Sequence, residues 1–106
     1  MTTKQAVVQF IYPASAASDF NLDYYLNTHV SLLEKRWYSQ GLRQWSIAVG
    51  EKGESYHVQA TLIWESLEAF QNAQFVEEVA GDIPNFTSAT PTRVVGTIVS
   101  HGSAPA

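Results

Sequence analysis

Apolar residues along this chain follow two periods in turn, two residues for a strand and about 3.6 for a helix, in the order strand, helix, strand, strand, helix, strand. On a chain of 106 residues that order predicts one domain, residues 1–106, of α+β class. The expected architecture is the ferredoxin-like βαββαβ arrangement, a four-stranded antiparallel sheet with two helices on one face.

The first run, KQAVVQFIYP, sets Ala6, Val8, Phe10 and Tyr12 on one face and Val7, Gln9 and Ile11 on the other, and stops at Pro13. The small and polar stretch ASAASDFN reads as a loop. It offers Ser18, Asp19 or Asn21 as N-cap to a helix that runs to about Gln40 and stops at Gly41. LRQWSIAVG and YHVQATLIW form a hairpin across EKGES. SLEAFQNAQFVEEVAG reads as a second helix, with Ser66 as cap, Leu67, Phe70 and Ala73 facing inward and Gly81 at its end. DIPNFTSATP is a loop, TRVVGTIVS the last strand and HGSAPA a loosely held tail. Two helices cover one face of the sheet and leave Val7, Ile11 and Ile63 without cover. The expected partner for that face is a second copy, giving a homodimer.

Six basic against ten acidic residues, with Lys4, Lys35, Arg36, Arg43, Lys52 and Arg93 scattered, argue against nucleic acid. No apolar run approaches a membrane span and MTTKQAVVQF lacks the hydrophobic core of a signal peptide, so neither a membrane partner nor export is expected, and the cytoplasm is the expected location. The absence of cysteine removes disulfides, thiolate metal sites and a Cys nucleophile. Three histidines without ligand spacing give no metal motif, and the absence of GxGxxG, P-loop and GxSxG patterns leaves nucleotide cofactors and serine hydrolysis without support. No cofactor is expected.

The stretch LDYYLNTHV holds the chemistry. At α-helical spacing Leu22, Tyr25, Leu26 and His29 share a side, which places His29 on the buried face. One reading is a core imidazole satisfied inside the protein. The other is a neutral imidazole, kept uncharged by desolvation and able to take a proton from a bound molecule. Tyr25 lies one turn before His29, while Tyr24 is expected to point elsewhere. Trp64, ending the third strand, and Tyr12, taken as the matching end of the first, are expected to close a pocket above His29. Asp82, Asn85 and Phe86 are expected to supply a lid or rim for it.

YP closing the first strand, DFNLDYYLNTHVSLLEKRW, ATLIWESLEAFQNA and GDIPNFTSATP together resemble the EthD family, named for an ethyl tert-butyl ether degradation cluster, from Val8 to Val99. The element Tyr24-Tyr25…His29 is its most specific part, and Asn85-Phe86-Thr87 a second anchor. The resemblance implies a dimeric α+β barrel, an architecture similar to that of small monooxygenases, muconolactone isomerases, polyketide cyclases and haem-handling barrels. Haem ligation by His29 has only that analogy behind it. Two positions depart from the family pattern, Asn21 where Asp is usual and Ser31 where Pro is usual. Any role of that Asp is either lacking here or passes to Asp19 or Asp23.

These readings lead to a small dimeric enzyme acting on an apolar or aromatic metabolite, by proton transfer (isomerisation, cyclisation or dehydration) or by cofactor-independent oxygenation. His29 would be the general base, and Tyr12, Tyr25, Trp64, Asn85 and Phe86 would bind substrate. The alternatives are a binding or carrier module for a hydrophobic intermediate, and a family member kept as a structural subunit.

Overall fold

The computed structural model describes residues 4–105; Met1–Thr3, within the stretch tested for a signal peptide, and Ala106, at the end of the tail, lie outside it. Strand β1 (Ala6–Pro13) leads through a 3-10 turn (Ala14–Ser18) to α1 (Leu22–Tyr24). A π-helical turn (Tyr25–His29) joins α1 to α2 (Val30–Trp37), which ends in a 3-10 turn (Tyr38–Gln40). The hairpin β2 (Leu42–Val49) and β3 (Tyr56–Trp64) is followed by α3 (Leu67–Gln71), α4 (Val76–Gly81), a 3-10 turn (Ile83–Asn85) and β4 (Thr92–Thr97). The sheet order is β2-β3-β1-β4 with every neighbouring pair antiparallel, which is the expected ferredoxin-like topology.

Alternation along β1 and β3 sorts the residues as their periods predict. Ala6, Val8, Tyr12, Val58, Ala60, Leu62 and Trp64 are buried beneath the helices. Val7, Ile11 and Ile63 are half-buried on the opposite face, where Gln9 Nε2 donates to Thr61 Oγ1 at 3.3 Å. Beneath the helices the apolar residues form two clusters. Leu33, Trp37, Leu42, Trp64 and Val79 belong to one, and Tyr12, Ala16, Tyr25, Val58 and Phe86 to the other.

Asn21 is the cap of the first helix, its Oδ1 accepting from the Tyr24 N–H at 3.0 Å. Gly41 ends that helical segment at φ 121°, a conformation a side chain rarely adopts. Ser66 caps the second helix as expected, but the continuous helix read from the sequence is two helices separated by four residues. The break has a tertiary cause. Trp37 Nε1 donates to the Gln74 carbonyl at 2.7 Å and the Gln74 N–H donates to Gln40 Oε1 at 2.7 Å, so both backbone groups of Gln74 are taken by the end of the first helical segment. Phe75 then turns through φ 66° before α4 begins. Among the described residues no helix is long and apolar enough to cross a membrane, and no cluster of three or more His, Cys, Asp or Glu side chains is placed to hold a metal ion.

Candidate active site

The π-turn decides what the first helical segment presents. Its Val30 N–H reaches the Tyr25 carbonyl five residues back, one residue further than in an α-helix. Residues five apart on an α-helix stand about 140° apart around the axis. The wider turn brings Tyr24 and His29 to one side instead, and both bind the same carboxylate. Asp82 Oδ1 accepts from the Tyr24 hydroxyl at 2.5 Å and Asp82 Oδ2 lies 2.9 Å from His29 Nδ1. Asn85 Nδ2 adds a third bond to Oδ1 at 2.9 Å. The expectation that Tyr24 points elsewhere is therefore corrected, because it assumed α-helical spacing.

The loop that follows Asp82 is tied to the segment before the first helix. The Asn21 N–H donates to the Phe86 carbonyl at 2.8 Å, and the Asp19 carboxylate accepts from Thr87 Oγ1 at 2.8 Å, from the Ser88 N–H at 2.9 Å and from the Ser88 hydroxyl. These hydrogen bonds keep the Asp19 carboxyl below its ordinary range, the largest contribution coming from the Ser88 side chain. Asp19 is thus a fastener for the loop, and neither it nor Asp23 partners His29; Asp82 does.

Burial drives His29 below the ordinary imidazole value, and the hydrogen bond and charge of Asp82 offset this only in part. Burial pushes Asp82 the other way, but its bonds from Tyr24, Asn85 and His29 together outweigh that and hold it below the usual carboxylate value. At neutral pH the pair is a neutral imidazole beside an ionised carboxylate. A carboxylate only accepts, so Nδ1 carries the proton and Nε2 keeps a free lone pair. Nε2 has no hydrogen-bond partner among the described residues.

His29 faces a cavity of about 80 Å³ between the two clusters, several times the ~10–15 Å³ that one water needs. Phe10 and its cross-strand partner Ala60 form the floor, where the small side chain leaves room, and Leu33, Trp37, Val79 and Ile83 form the roof. Tyr12 and Tyr25 complete the wall. Their rings meet edge to face at 6.1 Å, and neither hydroxyl has a hydrogen-bond partner among the described residues. Burial raises both phenols above their ordinary value, with Tyr25 adding to the effect on Tyr12, so both remain O–H donors.

The other sequence-predicted residues sit differently. Trp64 is fully buried in the other cluster, against Trp37 and Phe70, and lines no part of the cavity. Antiparallel pairing places Trp64 opposite Ala6 and Tyr12 opposite Val58, so Trp64 and Tyr12 lie at opposite ends of the strand pair. Phe86 packs on the rings of His29 (4.7 Å) and Tyr25 (5.1 Å) from outside the cavity, and Asn85 lies against Asp82 and Tyr24 without lining it. Asp82 itself, read only as lid or rim, proves to be the partner of the imidazole. The sequence offered one signal for it, an acidic residue opening the loop that carries the second anchor.

No family model matches the chain, and no curated protein matches it. Solved structures do. An EthD-like protein from Ralstonia eutropha JMP134 superposes with a TM-score of 0.83 at 22% identity, over 95% of this chain and 97% of that one. An ethyl tert-butyl ether degradation (EthD) family protein from Bacillus halodurans C-125 gives 0.65 at 19% identity, over 89% and 97%. SnoaB, a cofactor-independent oxygenase from Streptomyces nogalater, gives 0.59 at 11% identity, over 99% and 100%. The chain has the ferredoxin-like fold of the EthD-like proteins, as its sequence motifs indicated.

Proposed function

We propose that the protein is an EthD-like enzyme that removes a proton from carbon beside the carbonyl of an apolar or aromatic ketone, with His29 as general base. The observation that carries this reading is the free Nε2 of a neutral imidazole on an apolar cavity, with Nδ1–H held by ionised Asp82. Nε2 takes the proton, the C–H electron pair moves to the carbonyl oxygen, and the Tyr12 and Tyr25 hydroxyls donate to the enolate that forms. Asp82 stabilises the imidazolium. Return of the proton at another carbon completes an isomerisation. Attack of the carbanion on dioxygen starts a cofactor-free oxygenation, in which a methylene becomes a carbonyl, one oxygen atom is retained and the other leaves as water. The likeness to the fold of a cofactor-independent oxygenase supports that second branch.

We further propose a homodimer through the sheet face opposite the helices, where Val7, Ile11 and Ile63 are half-buried and Val94 is 44% exposed. The test of the chemistry is deuterium uptake beside the carbonyl of α-tetralone in D2O, followed by NMR. The wild type should exceed the buffer rate, and His29→Phe should lose about 10²-fold or more of that excess. Dioxygen uptake with anthrone distinguishes the oxygenase branch. Ligands that bind His29-dependently and never exchange would overturn the enzyme reading in favour of a carrier.

A further inference from the structure

A wider groove of about 520 Å³ adjoins the cavity and shares Phe10, Trp37 and Val76 with it. The two spaces thus lie on either side of common walls, the inner one holding His29 and the outer one open to solvent. Of the residues lining the outer groove, Arg93 alone is charged. It pairs across the strands with Phe10, which lines both spaces. Its guanidinium lies 5.6 Å from the centre of the Phe70 ring. Arg36 and Arg43 are engaged by Glu78 and Glu65, whereas Arg93 has no carboxylate within ion-pairing distance among the described residues. An unengaged arginine on an apolar groove is notable in a chain with ten acidic and six basic residues.

We propose that Arg93 receives the carboxylate of an amphipathic acid whose apolar ring enters the cavity beside His29, so that the substrate is an aromatic or alicyclic keto acid. The inference rests on the assignment of the cavity as the reaction site. Two charges fix the orientation. The ionised Asp82 behind His29 disfavours a second anion at the inner end, while the guanidinium offers a bidentate partner at the outer end. A monoanion suits a single guanidinium; a phosphate dianion would leave uncompensated charge against Phe10, Leu67, Val76 and Val95. The groove lies on the helix side of the sheet, so a dimer through the opposite face leaves it accessible.

The test is calorimetric titration of the wild type and Arg93→Gln with 2-naphthoate and with its neutral isostere 2-naphthamide, while NMR follows the His29 imidazole. The wild type should bind the acid about tenfold more tightly than the amide, by the strength of a hydrogen bond to a charged group. Arg93→Gln should abolish that preference without weakening the amide, and added salt should narrow it in the wild type. Both ligands should shift the His29 signals. A preference that survives Arg93→Gln, or no preference in the wild type, overturns the proposal, as does acid binding that leaves His29 unmoved. Deuterium exchange on neutral ketones without an Arg93-dependent preference would leave the general base in place and remove only this inference. An Arg93-dependent preference with His29 shifts and no exchange would support the acid site and remove the base.

Discussion

Replacing Asp82 by Asn tests the assignment of the imidazole most directly, because the side chains are nearly isosteric and the change lies in donors and acceptors. In the native protein two carboxylate oxygens accept three bonds, from Tyr24, Asn85 and His29. Asparagine has one oxygen and one NH2. If its oxygen stays toward Tyr24 and Asn85, two bonds survive and the NH2 points at Nδ1, which must then become an acceptor. If the amide flips, its NH2 meets the Asn85 NH2, donor against donor, so the first orientation wins. The proton then moves to Nε2, and the lone pair facing the cavity is lost. Exchanging charge-assisted for neutral bonds costs roughly 1 kcal/mol each in a buried setting, and Asn85 is exposed, so we expect a total of about 1–2 kcal/mol. For a domain of this size that is about 5–10 °C in Tm. Proton-exchange activity should fall about 10²- to 10⁴-fold, far more than so small a stability loss explains. Two-dimensional ¹H–¹⁵N spectra of the imidazole read the tautomer without any substrate. An Nε2–H tautomer in the wild type, or an Asp82→Asn protein with Nδ1–H and full activity, would refute the reasoning.

The remaining predictions use other parts of the structure. Activity should be level above pH 6.5 and fall as pH drops through the depressed value of His29. Stability should have the same sign: the unfolded chain takes up the proton first, so the His29 contribution is complete above pH 6.5 and is lost below it, and His29→Phe should flatten Tm against pH in that range. The lowered Asp82 contributes stability above 3.8 that is lost only as pH falls through its folded value. Phe86, 2% exposed and packed on Tyr12, Phe20, Tyr25 and His29, should cost about 3–5 kcal/mol on change to Ala and much less on change to Leu, measured by denaturant unfolding. Ile11→Glu should convert a dimer into a monomer in sedimentation with its fold retained by circular dichroism; a wild-type monomer at micromolar concentration would remove the dimer, whose interface should exceed about 1,000 Å².

Strand faces were legible because a period of two depends only on the pleat, and β1 and β3 sort their side chains accordingly. Capping was legible too, since Asn21 and Ser66 act on backbone groups three residues away. The illegible parts depend on partners distant in sequence. The break before α4 is made by Trp37 and Gln40, more than thirty residues upstream, and periodicity within a window contains no trace of them. Asp82 meets His29 across 53 positions, through a loop whose placement is set by Asp19 and Asn21. Trp64 lies away from the cavity for a simpler reason: β3 runs antiparallel to β1, so its last residue meets Ala6 at the start of β1 and not Tyr12 near its end.

The π-turn makes the alignment of the site depend on how the backbone winds as well as on residue type. Relaxing the segment to ordinary α-helix at its present length would set Tyr24 and the imidazole about 140° apart around the axis, whereas removing one residue between Tyr25 and His29 would leave them four apart, about 40° from each other and still on one side. The π-turn thus absorbs the one residue by which this spacing exceeds the four that an α-helix needs to present the same pair together. Conversely, a segment with the tyrosine and histidine four apart needs no π-turn to bring them to one side.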